Sequence, residues 1–186
     1  MLFRSKPLVL RNLAFKNQGG LRFIEKSADW GFDHAGISHG MALADLDNDG
    51  DLDVAVNNFD ETAGIYRNNS PASRIAVKLR GTPPNTHGIG ARITVEADGL
   101  TQSQEMMSGG RYLSDDEQIR VFAASKPIHK ITVAWPSGRV STVTDIRPNR
   151  VYEIHESGGV PATKTAAPKP SPVFEDVSHF AHARQP

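Results

Sequence analysis

The stretch DLDNDGDLD, from Asp45 to Asp53, places five carboxylates at alternate positions of nine residues. Like charges this close repel, and the nearest basic residues on either side in the sequence, Lys26 and Arg67, lie well outside the stretch. A hard divalent cation resolves the conflict, because calcium takes 6–8 oxygen ligands at once. In this spacing Asp45, Asp47 and Asp49 each offer a carboxylate from one tight curve, and Gly50 permits the sharp turn. Asp51 then ligates through its backbone carbonyl with its side chain in solvent, and Asp53, at the ninth position, binds directly or through water. An EF-hand continues to a glutamate at position twelve, which here is Val56, and is flanked by helices. The flanks here, MALAD and LDVAVNN, read as strands. Magnesium fits less well, since it keeps several waters and few protein ligands. A solvated acidic turn, which Asp-Gly favours in any case, leaves the odd-position spacing unexplained. No histidine base stands beside the loop, so the expected role of Ca2+ is structural. It ties two strands together, and without it the loop is expected to repel itself open.

The elements that position this loop are short and β-like. NLAFKNQGGLRF reads as a hairpin around Asn17-Gln18-Gly19-Gly20. AGIYRNN is a further strand, closed by Asn68, Asn69, Ser70 and Pro71. RIAVKLR alternates as a half-buried strand does. ARITVEA-DG-LTQSQEMM predicts a hairpin with a type I′ turn at Asp98-Gly99. HKITVAW-PSG-RVSTVTDI predicts another around Pro136, Ser137 and Gly138, with IRVFAA and VYEIH as its neighbours in the sheet. Trp135 alternates in phase with Ile131 and Val133 and so faces the core. No amphipathic helix exceeds about two turns. The fold class is all-β, with a sandwich or small barrel in the second half.

Composition narrows the function. Lys+Arg (21) equals Asp+Glu (21), and the chain has 16 Gly, 12 Pro and no cysteine in 186 residues. The balance speaks against a nucleic-acid binder. No run of about 18 apolar residues is present, so no membrane insertion is expected. The N-terminal MLFRSKPLVLRNLAF is broken by Pro7 and Arg11 and does not read as a signal peptide. Without cysteine there are no disulfides, zinc-thiolate sites or thiol nucleophiles.

GMALADLDNDGDLDVAVNN resembles an FG-GAP/VCBS repeat, the calcium-loop blade of integrin-α-type β-propellers. RIAVKLRGTPPNTHGIGARITVEADG, SGGRYLSDDEQIRVFAA and ITVAWPSGRV together resemble the ASPIC/UnbV domain. Related chains often read HFGLG where this one has VFAAS, Val121 to Ser125. The two types of unit adjoin in cartilage acidic protein-like exported proteins, many of them bacterial. The resemblance implies calcium ligands at Asp45, Asp47, Asp49, Asp51 and Asp53, a partial propeller blade, and an extracellular, periplasmic or cell-surface location. The expected organisation is a blade over residues 1–72 and an ASPIC/UnbV-like β domain over 73–156. A Pro/Ala/Thr linker follows over 157–172, and the start of a further, incomplete repeat over 173–186. The chain accordingly reads as a fragment of a longer protein, with other blades missing.

The remaining candidates are weaker. Gly88-Ile89-Gly90 and Gly109-Gly110 complete no phosphate-loop motif and read as turns or bulges. His34 and His39 flank AGIS and read as turn or surface residues, and His179 and His182 lack further ligands. Two functions remain. One is a non-enzymatic, calcium-binding extracellular module for adhesion or interaction with a protein or glycan ligand. The alternative is an accessory or catalytic part of a polysaccharide-active exported protein, with Asp115, Asp116 or Glu117 as acid/base groups. Adjacent residues on one loop rarely supply the fixed separation across a cleft that paired-carboxylate chemistry needs.

Overall fold

The computed structural model describes residues 8–163. The incomplete repeat expected over 173–186, with His179 and His182, lies outside the described residues. Among those described, all regular structure is β except for one 3-10 turn. None forms a helix long and apolar enough to cross a membrane.

Residues 8–72 form three small sheets. Strand β1 (Leu10–Arg11) pairs with β4 (Ala35–Gly36), and β2 (Phe15–Gly19) with β3 (Arg22–Glu25). β5 (Ser38–Ala44), β6 (Asp53–Asn58) and β7 (Gly64–Tyr66) make an antiparallel sheet in that order. The β2–β3 hairpin turns one step later than the sequence suggests. Gly19 pairs with Arg22, and Gly20 (φ +56°) and Leu21 (φ +60°) occupy the turn. Two positive φ angles in a two-residue loop suit the right-handed strand twist, even with a leucine in the second position.

Residues 74–161 form a two-layer sandwich. One layer orders β11 (Ile119–Ala123), β8 (Arg74–Arg80) and β14 (Arg150–His155). The other orders β10 (Leu100–Glu105), β9 (Arg92–Ala97), β12 (Ile128–Ala134), β13 (Arg139–Thr144) and β15 (Val160–Pro161). Ile75, Val77 and Leu79 of β8 meet Ile93 and Val95 of β9 and Ile131 and Val133 of β12, with Phe122, Met106, Ile154 and Trp135 filling in. Each such side chain contributes about 1.5–3 kcal/mol by leaving water.

β8 alternates as expected, with Ile75, Val77 and Leu79 buried on one face and Lys78 and Arg80 partly exposed on the other, where Ala76 is covered as well. It is the middle strand of its layer and pairs in parallel with β14. Other expectations need correction. The Asp98-Gly99 hairpin is present, joining Ala97 to Leu100, but only Gly99 has positive φ, so the turn is not type I′. Residues 157–161 are not linker. Glu156, buried, accepts hydrogen bonds from the Thr82 N–H (2.6 Å) and the Ser137 hydroxyl (2.6 Å). The Arg139 guanidinium donates to the carbonyls of Glu156, Ser157 and Gly159, and β15 then pairs with β13. Trp135 is buried as its phase requires, with its indole N–H donating to Ser141 Oγ at 2.9 Å.

The two halves differ in what fills them. In residues 8–72 the buried side chains are Ser27, Asp51, Val56, Asp53 and Asn58, only one of them a large hydrophobe. Leu10, Phe15, Phe23 and Trp30 remain exposed. This half is held by polar bonds rather than by an apolar core.

Candidate metal centre

β5 and β6 are antiparallel, with Ala44 opposite Asp53, so the acidic stretch is the loop that joins them. Asn48 (φ +60°) and Gly50 (φ +90°) bend it through left-handed backbone, a conformation that asparagine tolerates and glycine adopts freely. The bend brings Asp45, Asp47 and Asp49 together, one carboxylate oxygen of each within 4.8 Å of the others. The loop also wraps around its own carboxylates. Asp45 Oδ1 accepts from the Asp49 N–H and Oδ2 from the Gly50 N–H, both at 3.0 Å, and Asp49 Oδ1 accepts from the Asp51 N–H at 3.1 Å. Asp47 and Asp49 are exposed and Asp45 half-buried, so a small hard cation has an open approach to three anionic oxygens.

Asp51 and Asp53 lie elsewhere than the sequence suggests. Asp51 is not in solvent: it is 3% exposed, and neither carboxylate oxygen accepts a hydrogen bond. Burial pushes its carboxyl up from 3.8 to about 6, against the pull of Arg74. Such a group needs positive charge nearby to be stable as an anion; Arg74, 3.2 Å from Oδ2, supplies part of it, and a cation held by the loop would supply more. Asp53 is 2% exposed, and both its oxygens are used: Oδ2 accepts from the Leu46 N–H (2.9 Å) and Oδ1 from the Asn68 N–H (2.7 Å). It thereby pins the start of the loop to the segment after β7.

Two groups from the sandwich also shape the loop, and sequence reasoning missed both. Arg74, at the start of β8, donates from Nη2 to the Asp49 carbonyl and to Asp49 Oδ1, each at 2.9 Å, and lies 3.2 Å from Asp51 Oδ2. Glu117 accepts from the Asp45 N–H at 2.9 Å through Oε2, while Oε1 pairs with Lys78 at 3.0 Å. The repulsion foreseen from the sequence is thus met partly by protein groups.

Glu117 belongs to a segment that caps the outer edge of β5. The Ser114 hydroxyl donates to the Met41 carbonyl (2.7 Å) and the Glu117 N–H to the Leu43 carbonyl (2.8 Å). Asp116 Oδ1 accepts from the Leu43 N–H at 2.9 Å. An exposed strand edge is a template for unwanted pairing, and this loop covers it. Burial pushes the Asp116 carboxyl up, but its bonds to Arg111 and Leu43 prevail and hold it below the usual range. Asp115 accepts from the Ser108 hydroxyl and the Gln118 amide. The three carboxylates weighed as acid/base groups are therefore all engaged in holding structure.

The other candidates have local roles. His34 Nε2 lies 2.9 Å from Glu61 Oε2. His39 stacks on Phe59, with Tyr112 edge-on. Gly88, Gly90, Gly109 and Gly110 all have positive φ and serve turns.

The class defined by this geometry is an all-β protein in which an acidic loop is braced against a β-sandwich. The family model described as ASPIC and UnbV matches residues 81–161, so the sandwich carries an ASPIC/UnbV domain. The match begins one residue after β8, but β8 is the central strand of its layer, so the folded unit starts at Arg74. No curated protein matches the chain.

Proposed function

We propose that this chain is a non-enzymatic, calcium-binding extracellular module for adhesion or for interaction with a protein or glycan ligand. In this reading calcium is structural, and residues 8–72 are an FG-GAP/VCBS-like blade of a β-propeller. The observation that carries it is the convergence of Asp45, Asp47 and Asp49 beside a buried Asp51 carboxylate that no hydrogen bond satisfies. An ion here joins the end of β5 to the start of β6 in a half that has little apolar core of its own. Loops of this kind in extracellular modules bind calcium with Kd of about 10⁻⁴–10⁻³ M, which suits the millimolar calcium outside cells.

The exposed apolar residues of β1 to β3, Leu10, Phe15 and Phe23 among them, are consistent with a blade that packs on further blades. The test is calcium-dependent stability. Melting in calcium and in chelator should differ, because an ion that binds only the native state stabilises it by mass action. Equal melting temperatures at several mM calcium would remove the basis of this reading.

A further inference from the structure

Among the described residues, Arg74 is the only basic side chain in ion-pair contact with any of the five loop aspartates. It is not a rim charge. Its side chain is 18% exposed, it opens the central strand of the sandwich, and its guanidinium spans two carboxylates, Asp49 and Asp51. It also reaches the carbonyls of Asp49 and Ser70. From this geometry we infer that Arg74 is a built-in counter-cation of the calcium loop. It holds the ion-free loop folded against the ASPIC/UnbV-bearing unit, and it keeps calcium affinity low by repelling the ion that shares its carboxylates. The inference rests on the calcium reading above.

The guanidinium stabilises the ion-free loop more than the calcium-bound one. In the ion-free loop the guanidinium offsets mutual repulsion among the aspartates, so its removal raises the energy of that state. With calcium bound, the ion already offsets much of that repulsion and itself repels the guanidinium, so removing Arg74 costs less in that state. The difference favours the bound state, and calcium should bind more tightly without the charge. A residue that merely oriented Asp49 as a ligand would give the reverse, since its loss would leave Asp49 less well placed and binding weaker.

Arg74→Gln separates the two cases, because it keeps a donor for Asp49 and drops the charge. Arg74→Lys keeps a charge and loses the fork. Calcium titration by calorimetry at low salt should show Arg74→Gln binding about tenfold more tightly than wild type, with a lower melting temperature in chelator. Arg74→Lys should bind within about threefold of wild type, and the gain in Arg74→Gln should shrink at high salt as screening grows. If Arg74→Gln unfolds without the ion, calcium-driven refolding followed by circular dichroism gives the same comparison.

Weaker or unchanged binding in Arg74→Gln, with wild type binding normally, overturns the inference and leaves the calcium site standing. A lower chelated melting temperature with unchanged affinity likewise reduces Arg74 to an ordinary ion pair. Absence of calcium binding in wild type and variant alike overturns the calcium reading and this inference with it.

Discussion

Replacing Asp53 by alanine tests whether this residue acts as a brace rather than only as a ligand. Its two oxygens accept from the Leu46 and Asn68 backbone N–H groups at 2.9 and 2.7 Å, in a site where the side chain is 2% exposed. Hydrogen bonds to a charged group contribute about 1.5–3 kcal/mol each, and their loss strands two donors away from water. The combined cost is about 3–5 kcal/mol, on the scale of removing one partner from a buried charged network. At 1.4 kcal/mol per factor of ten, amide protection in β5 and β6 should fall by roughly two to three and a half orders of magnitude, or vanish if the unit opens entirely. β9 and β12, in the apolar core of the sandwich, should keep theirs. The assay is hydrogen exchange in chelator, so that no effect passes through a bound ion. Unchanged protection in Asp53→Ala under chelator would refute the reasoning and return Asp53 to a purely metal-binding role.

Burial at Asp51 and close packing at Gly88 each have a measurable consequence. Burial raises the Asp51 carboxyl from 3.8 to about 6. A raised folded-state value means that its stabilising contribution is fully present below about pH 4 and is lost as pH rises through about 6, by about 3 kcal/mol. Asp51→Asn should therefore melt higher than wild type in chelator at pH 7, and the difference should close by pH 4; equal melting temperatures at pH 7 would contradict the burial argument. Gly88 has φ +65°, and a Cβ there would meet the Trp135 ring at 2.8 Å and Leu79 at 3.1 Å. Gly88→Ala should destabilise the sandwich by about 2–4 kcal/mol through strain and overpacking, seen as a lower urea midpoint by the fluorescence of Trp135 in a Trp30→Phe background.

What could be read in the sequence was what is local. The all-β class, the strands flanking the acidic loop and the two hairpins of the sandwich all follow from period-two patterning and turn residues within a few positions of each other. The convergence of Asp45, Asp47 and Asp49 followed from their spacing and Gly50. What escaped was long-range. The parallel pairing of β14 with β8 joins strands separated by most of the ASPIC/UnbV domain, and no turn signals it. Arg74 looks in the sequence like the polar first residue of a strand. Its reach to Asp49, across 25 positions, depends on how the sandwich abuts the loop. Glu117 and Asp116, more than 70 positions from the residues they bond, suggested acid/base chemistry only because they are adjacent carboxylates. The loop spacing predicts the Asp51 side chain in solvent, whereas it is 3% exposed with Arg74 of the sandwich 3.2 Å from its Oδ2.

The central claim is that Asp45, Asp47 and Asp49 together hold calcium. Asp47 is the sharpest probe, because among the described residues the backbone amides of the loop bond to Asp45, Asp49 and Asp53 and none depends on it. Calorimetric titration of calcium into wild type and Asp47→Ala should give saturable binding in the first, with Kd of about 10⁻⁴–10⁻³ M. The second should lose that binding while its circular dichroism in chelator is unchanged. No binding heat in a folded wild-type chain at several mM calcium, or equal binding in Asp47→Ala, would contradict the account.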